Sequence, residues 1–145
     1  MPSYEASASI AAQREAVWSV LVDVLNWPGW TPTVQKVEAL DAPELKVGHR
    51  FRVHQPKLRP SVWTVTAVDA PARFTWESRV PGLVMTADHS VKATADGVSK
   101  LVLRFTLGGL LGPIVGPMNR KMVVSYMAQE AESLRKRLEA GRRAP

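Results

Sequence analysis

Beyond Pro117 no glycine or proline interrupts the chain until Gly141, and apolar residues fall at Met118, Met122, Val123, Tyr126, Met127, Ala131, Leu134 and Leu138. Steps of three and four place them on one face of a helix. The opposite face carries Arg120, Lys121, Gln129, Glu132, Lys136 and Glu139. The pattern predicts an amphipathic helix over about 113–140, its stretch after Pro117 roughly 35 Å long. One apolar stripe of that length needs a sheet to lie against.

The rest of the chain supplies the strands. Ser3–Ile10 alternates, with Tyr4, Ala6, Ala8 and Ile10 on one side and Ser3, Glu5, Ser7 and Ser9 on the other. The period then lengthens: Ala16, Val17, Val20, Leu21 and Val24 recur at helical spacing, which predicts a helix from about 12 to before Asn26. Trp27-Pro28-Gly29-Trp30-Thr31-Pro32 permits no more than a short helical turn. Strand patterns return over 34–40, 49–55, 61–68, 73–80, 85–94 and 99–107. The last four form two pairs, joined by Asp69-Ala70-Pro71-Ala72 and by Ala95-Asp96-Gly97-Val98, where Asp-Gly is a hairpin cue. The order is strand, two short helices, six strands and a long helix. Loops of hairpin length make the sheet antiparallel, so the fold class is α+β with the helices on one side.

Composition narrows this picture. At 145 residues, 46% apolar and 22% charged, the chain is read as one globular domain over 1–145. With no cysteine, thiolate chemistry and disulfides are excluded, in keeping with a cytoplasmic protein. The first ten residues carry no basic patch or apolar run of a secretory signal, and no apolar stretch reaches the roughly 18–20 residues of a membrane span. The formal charge of +6 concentrates late, at Arg135, Lys136, Arg137, Arg142 and Arg143, the last two in a basic tail over 141–145. Cations there complement the dipole of a helix end. Weak contact with an anionic membrane is an alternative. No aromatic residues interleave with them, which argues against nucleic acid.

Particular residues carry a resemblance. Ile10-Ala11-Ala12 precedes Glu15-Ala16-Val17-Trp18-Ser19-Val20-Leu21-Val22-Asp23 and Trp27-Pro28-Gly29-Trp30. Val47-Gly48, Arg73-Phe74-Thr75-Trp76, Gly97, Gly108 with Leu110-Leu111-Gly112-Pro113, and Glu130-Ala131 with Leu134 follow. Over essentially its whole length the chain resembles the START-like or Bet v 1-like (SRPBCC) superfamily, in its bacterial polyketide cyclase/dehydrase-type branch. The resemblance implies a helix-grip fold, a curved seven-stranded antiparallel sheet wrapped around the C-terminal helix. It also implies a hydrophobic ligand held between the two, with no cofactor.

Strand parity names the side chains facing such a space. They are His49, Phe51, Val53 and Gln55; Trp63, Val65 and Ala67; Phe74, Trp76 and Ser78; Met85, Ala87, His89, Val91 and Ala93; and Leu101, Leu103, Phe105 and Leu107. Met118, Met122 and Tyr126 face them from the helix. Trp63, Phe74, Trp76, Met85, His89, Phe105, Met118, Met122 and Tyr126 are therefore the candidate ligand-binding residues. The same residues would equally fill a closed core. His89 is the candidate catalytic residue, because an imidazole in apolar surroundings stays neutral and can act as a base or a donor. Its alternative is a core histidine bonded to a backbone carbonyl or to Tyr126. Trp27 and Trp30 either pack under the C-terminal helix or line the entrance. No histidine or acidic spacing resembles a metal site, and no Gly-x-Ser-x-Gly is present. Gly108 to Pro117 reads as a bend that admits the long helix, and Gly112 to Pro117 as a hinge about which the helix's first half could move to admit a ligand. Three functions follow as expectations: binding of a small hydrophobic or aromatic ligand, a cyclase or dehydratase using His89 as acid/base with Tyr126 as donor, or an interaction protein with a closed pocket.

Overall fold

The computed structural model describes residues 2–143, with side chains to Ala140. The basic tail expected over 141–145 thus lies outside the described side chains. Seven strands, β1 (Ser3–Ile10), β2 (Lys36–Ala39), β3 (Arg50–His54), β4 (Ser61–Asp69), β5 (Arg73–Val80), β6 (Leu83–Ala95) and β7 (Val98–Gly108), form one sheet. Their order is β1-β7-β6-β5-β4-β3-β2, every pair antiparallel. Helix α1 (Arg14–Leu21) and a 3-10 helix (Val24–Gly29) carry the chain from edge strand β1 to edge strand β2. Helix α2 (Gly112–Arg143) lies along the concave face of this helix-grip fold, packing on β1 and β7.

Both short helices expected between β1 and β2 are present, but the first, expected over 12–25, stops at Leu21 and the second begins at Val24. Pro28 cannot donate a backbone bond, and Val24–Gly29 tightens into a 3-10 helix around it. There the Trp27 indole donates to the Leu21 carbonyl at 2.9 Å, tying the 3-10 helix to the end of α1. Strand parity holds for most inward positions: Phe51, Val53, Trp63, Val65, Phe74, Trp76, Val91, Leu101 and Leu103 are all buried. It fails at Ala67. A bulge between Val65 and Ala67 adds one residue to β4, so Val68 instead pairs with inward Phe74 while Ala67 pairs with Thr75 and is exposed. The hydroxyl of Thr66, inside the bulge, donates to the Thr75 carbonyl at 3.2 Å. His49 also departs from the expected face. It precedes β3, and its Nδ1 lies 2.9 Å from the Glu44 carbonyl in the β2–β3 loop.

The bend expected over 108–117 is shorter than its glycines and prolines suggest, since α2 already begins at Gly112 and runs through Pro117. Two contacts hold its start. Gly109 adopts φ +85°, and a Cβ there would sit 2.7 Å from the Gly82 carbonyl oxygen. Leu111 N–H donates to that same oxygen at 2.8 Å, tying the β7–α2 loop to the β5–β6 turn. One helical turn on, a Cβ at Gly116 would meet Pro2 at 2.6 Å, so the absence of a side chain lets α2 cross β1 closely. The second half of the helix is anchored by Ala131 and Leu134, both buried, and by Glu139, which accepts from Ala11 N–H at 3.1 Å.

Candidate ligand cavity

A cavity of about 380 Å³ separates the sheet from the first half of α2. Its floor comes from the concave face: Val53 of β3, Trp63 of β4, Trp76 of β5, Met85, Ala87 and His89 of β6, and Phe105 and Leu107 of β7. Trp27 closes the inner end. Exposed Leu58, Arg59, Pro60 and Val80 line the other end, where the cavity opens. The roof is a single helical stripe of Val115, Asn119, Met122, Val123, Tyr126, Met127 and Glu130, with the i, i+4, i+7 spacing of one face.

Seven of the nine residues expected from the sequence line this space: Trp63, Trp76, Met85, His89, Phe105, Met122 and Tyr126. Two do not. Phe74 faces inward but lies fully buried behind His89, against whose ring it stacks at 4.1 Å and 6°. Met118 is 79% exposed. At 100° per residue it stands roughly 100° round the helix from the middle of the lining stripe, so it passes outside the rim.

The aromatic floor is built around Trp76. Its ring centroid lies 5.3 Å from Trp27, 5.7 Å from Trp63, 5.5 Å from Phe74 and 6.2 Å from Phe51, all at tilted or edge-on angles. His89 belongs to the same cluster, edge-on to Trp76 at 5.9 Å and tilted to Trp27 at 5.7 Å. Burial pushes its imidazole down to about 4, with the Phe74 backbone and Asp88 opposing, so the ring is neutral at physiological pH. Of the two expected partners Tyr126 does not bond it, since the tyrosine hydroxyl donates instead to the Pro56 carbonyl at 2.5 Å, and Nδ1 is enclosed without a hydrogen-bond partner, leaving the Phe74 backbone as the ring's hydrogen-bond contact. Asp88 points to the other side of the sheet, where it accepts from Arg73 Nε and Thr75 Oγ1, each at 2.7 Å. The neighbouring carboxylate, Asp88, therefore does not orient the imidazole.

Glu130 is the residue that pattern reading passed over. It lines the roof, and burial raises its carboxyl from 4.5 to about 7, with no cation opposing. The signal was in the sequence: Glu130 lies four residues from both Tyr126 and Leu134, so it shares the apolar stripe and not the charged face. A carboxyl in such a place can donate a proton to a ligand oxygen when neutral, or accept one when charged. Among the described residues no group of three or more histidine, aspartate or glutamate side chains is placed to hold a metal ion, and no helix is long and apolar enough to cross a membrane.

An aromatase/cyclase, Zhui, from Streptomyces sp. R1128 superposes with a TM-score of 0.74 at 20% identity, over 98% of this chain and 96% of that one. A START superfamily protein from Mycobacterium smegmatis gives 0.74 at 18%, over 97% and 99%. A protein from Thermobifida fusca gives 0.81 at 17%, over 97% and 95%. At these identities the superpositions show a common fold. No curated protein matches the chain. The family described as polyketide cyclase/dehydrase and lipid transport matches residues 1–139, and the chain belongs to it.

Proposed function

We propose that the protein binds a small hydrophobic or aromatic molecule in this cavity and holds it without transforming it. One observation carries the reading: a space of about 380 Å³, open at one end, is walled by aromatic rings and methionines, with few polar groups behind the mouth, His89 and Glu130 among them. Such a wall grips a flat apolar body, and a few placed polar groups fix its orientation. Trp27, Trp63, Trp76, Met85, Phe105, Met122 and Tyr126 would make the apolar contacts, and His89 and Glu130 the polar ones. The open mouth speaks against an interaction protein with a closed pocket. A chain without cysteine is in keeping with action in the cytosol, as one domain.

A second reading is a cyclase or dehydratase, favoured by one observation: a neutral imidazole and a carboxyl near 7 share the cavity. Glu130, not Tyr126, would then be the partner of His89, because the tyrosine hydroxyl is already committed to Pro56. Against it stands the burial of Nδ1, which is enclosed without a partner and so has no path to a substrate proton.

Three of the lining residues are tryptophans, so an aromatic ligand should quench intrinsic fluorescence. Titration with planar aromatic alcohols and ketones should give saturable quenching that Met122→Trp, by filling the space, abolishes. Native mass spectrometry of the purified protein should show a retained small molecule. No quenching across the panel and no retained mass would sink the binding reading. Turnover of a poly-ketone that His89→Ala removes while quenching persists would favour the enzyme.

A further inference from the structure

One end of the sheet gathers the β5–β6 turn at Pro81-Gly82, the β3–β4 loop, the β7–α2 loop and the start of α2. Here the protein exposes apolar side chains around the cavity mouth: Leu110 at 90%, with Leu58, Val80, Leu111, Ile114 and Met118. Leu58 and Val80 also line the cavity, so the patch and the cavity wall are continuous. Isolated exposed leucines are ordinary, whereas a set of six at one opening marks a contact surface.

The charges there have one free sign. Lys57 and Arg59 flank Leu58, and Lys121 follows Ile114 and Met118 on the same helical face, at i, i+4 and i+7. None of these three cations has an ion pair among the described residues. The acidic side chains at this end are already engaged, Glu77 with Arg79 and Glu38 with His54, each at 2.6 Å.

We propose that this rim docks the cavity mouth onto an anionic lipid bilayer, with Leu110, Leu111, Ile114 and Met118 entering the headgroup region and Lys57, Arg59 and Lys121 against lipid phosphates. Charge complementarity selects the bilayer over a second copy of the chain. Two copies mouth to mouth would bring unpaired cations together, while an anionic surface neutralises them. Docking in this orientation lets an apolar ligand pass between bilayer and cavity without crossing water. The proposal rests on the rim alone and is tested without any ligand, so its failure leaves the cavity reading untouched.

Flotation with vesicles tests it. The protein should rise with vesicles of phosphatidylcholine and phosphatidylglycerol in equal parts, and stay behind with phosphatidylcholine alone. Leu110→Ser should weaken binding roughly tenfold, the scale of exposing one leucine. Lys57→Gln and Lys121→Gln should each weaken it about fivefold. All three positions are exposed, and unchanged thermal unfolding verifies that the variants fold. No flotation with the anionic vesicles overturns the proposal, as does equal binding to neutral ones. Binding that ignores Leu110→Ser also overturns it, and so does a lipid-free dimer that this substitution dissolves.

Discussion

The carboxyl of Glu130 offers the most direct test of how the cavity behaves. Burial raises it from 4.5 to about 7, so the folded protein holds this proton more tightly than the unfolded chain does. At about 1.4 kcal/mol per pH unit, the charged form is disfavoured by roughly 3 kcal/mol in a dry cavity; water admitted at the mouth screens the charge and lowers the figure. The sign follows from proton binding. Below 4.5 both states are protonated and the group is neutral to stability; as pH rises from 4.5 through 7 the folded state is progressively penalised. In Glu130→Gln the side chain is neutral throughout, so the variant should match the wild type near pH 4.5 apart from a constant offset. Above about pH 7 it should gain up to roughly 3 kcal/mol, or 6–12 °C in Tm for a protein of this size. Circular dichroism melts of both proteins across that range, read as the difference in Tm, isolate the group from all other titrations. A difference that stays flat from pH 4.5 to 7, or that falls, refutes an uncompensated carboxyl in an apolar wall.

Other substitutions probe the remaining parts. His89→Leu should act with the opposite pH sense: the depressed imidazole contributes stability above 6.5 that is lost as pH falls to about 4, so the variant's acid-side melts should decline less, by up to roughly 3 kcal/mol. Guanidinium unfolding of Gly109→Ala should show a loss of roughly 2 kcal/mol, because a Cβ there combines a positive φ with a 2.7 Å approach to the Gly82 carbonyl; an unchanged midpoint would show that the loop yields freely. Met118→Ala should leave fluorescence titrations of aromatic probes unaltered, while Met122→Ala should change their affinity severalfold, about 1 kcal/mol. The reverse ranking would mean that the helix turns in solution to bring Met118 inward.

The sequence showed the fold more fully than the site, and particular residues show why. Alternation reports which face of a strand is buried, and β5 was legible to its last residue because no bulge disturbs it. Parity carries no record of an inserted residue, so the bulge at Thr66 reversed Ala67 without a local signal. In α2 the period was legible but its phase was not. Met118 is apolar and four residues from Met122, and only the crossing of β1 at Gly116 decides which edge of the stripe overhangs the cavity. Phe74 illustrates another limit: inward direction and access to a ligand are different properties, and the ring of His89 stands between them. Glu130 was available from spacing, but a charged residue beside Gln129 and Glu132 reads as part of a solvated face until its angle is counted.

The size of the cavity bears on its purpose. If dry, about 380 Å³ of unfilled interior would weaken the fold by roughly 9 kcal/mol at about 24 cal/mol per Å³, comparable with the whole stability of an ordinary domain. Cores that serve only the fold close such space with larger side chains. Here the floor resists collapse, because Trp76 is braced by Trp27, Phe51, Trp63 and Phe74 at tilted and edge-on angles, and planar rings cannot fold into the gap as methionines could. Water entering at the mouth would find few partners beyond Gln55, Ser61, Asn119, His89 and Glu130, so an apolar ligand that displaces it gains the hydrophobic free energy of the walls. The same braces predict that Trp76→Ala does more harm to ligand affinity than to volume. Its neighbours should lean inward, and a crystal structure of the variant should show a cavity enlarged by less than the indole removed. An indole-sized void left intact would show that the rings stand without Trp76.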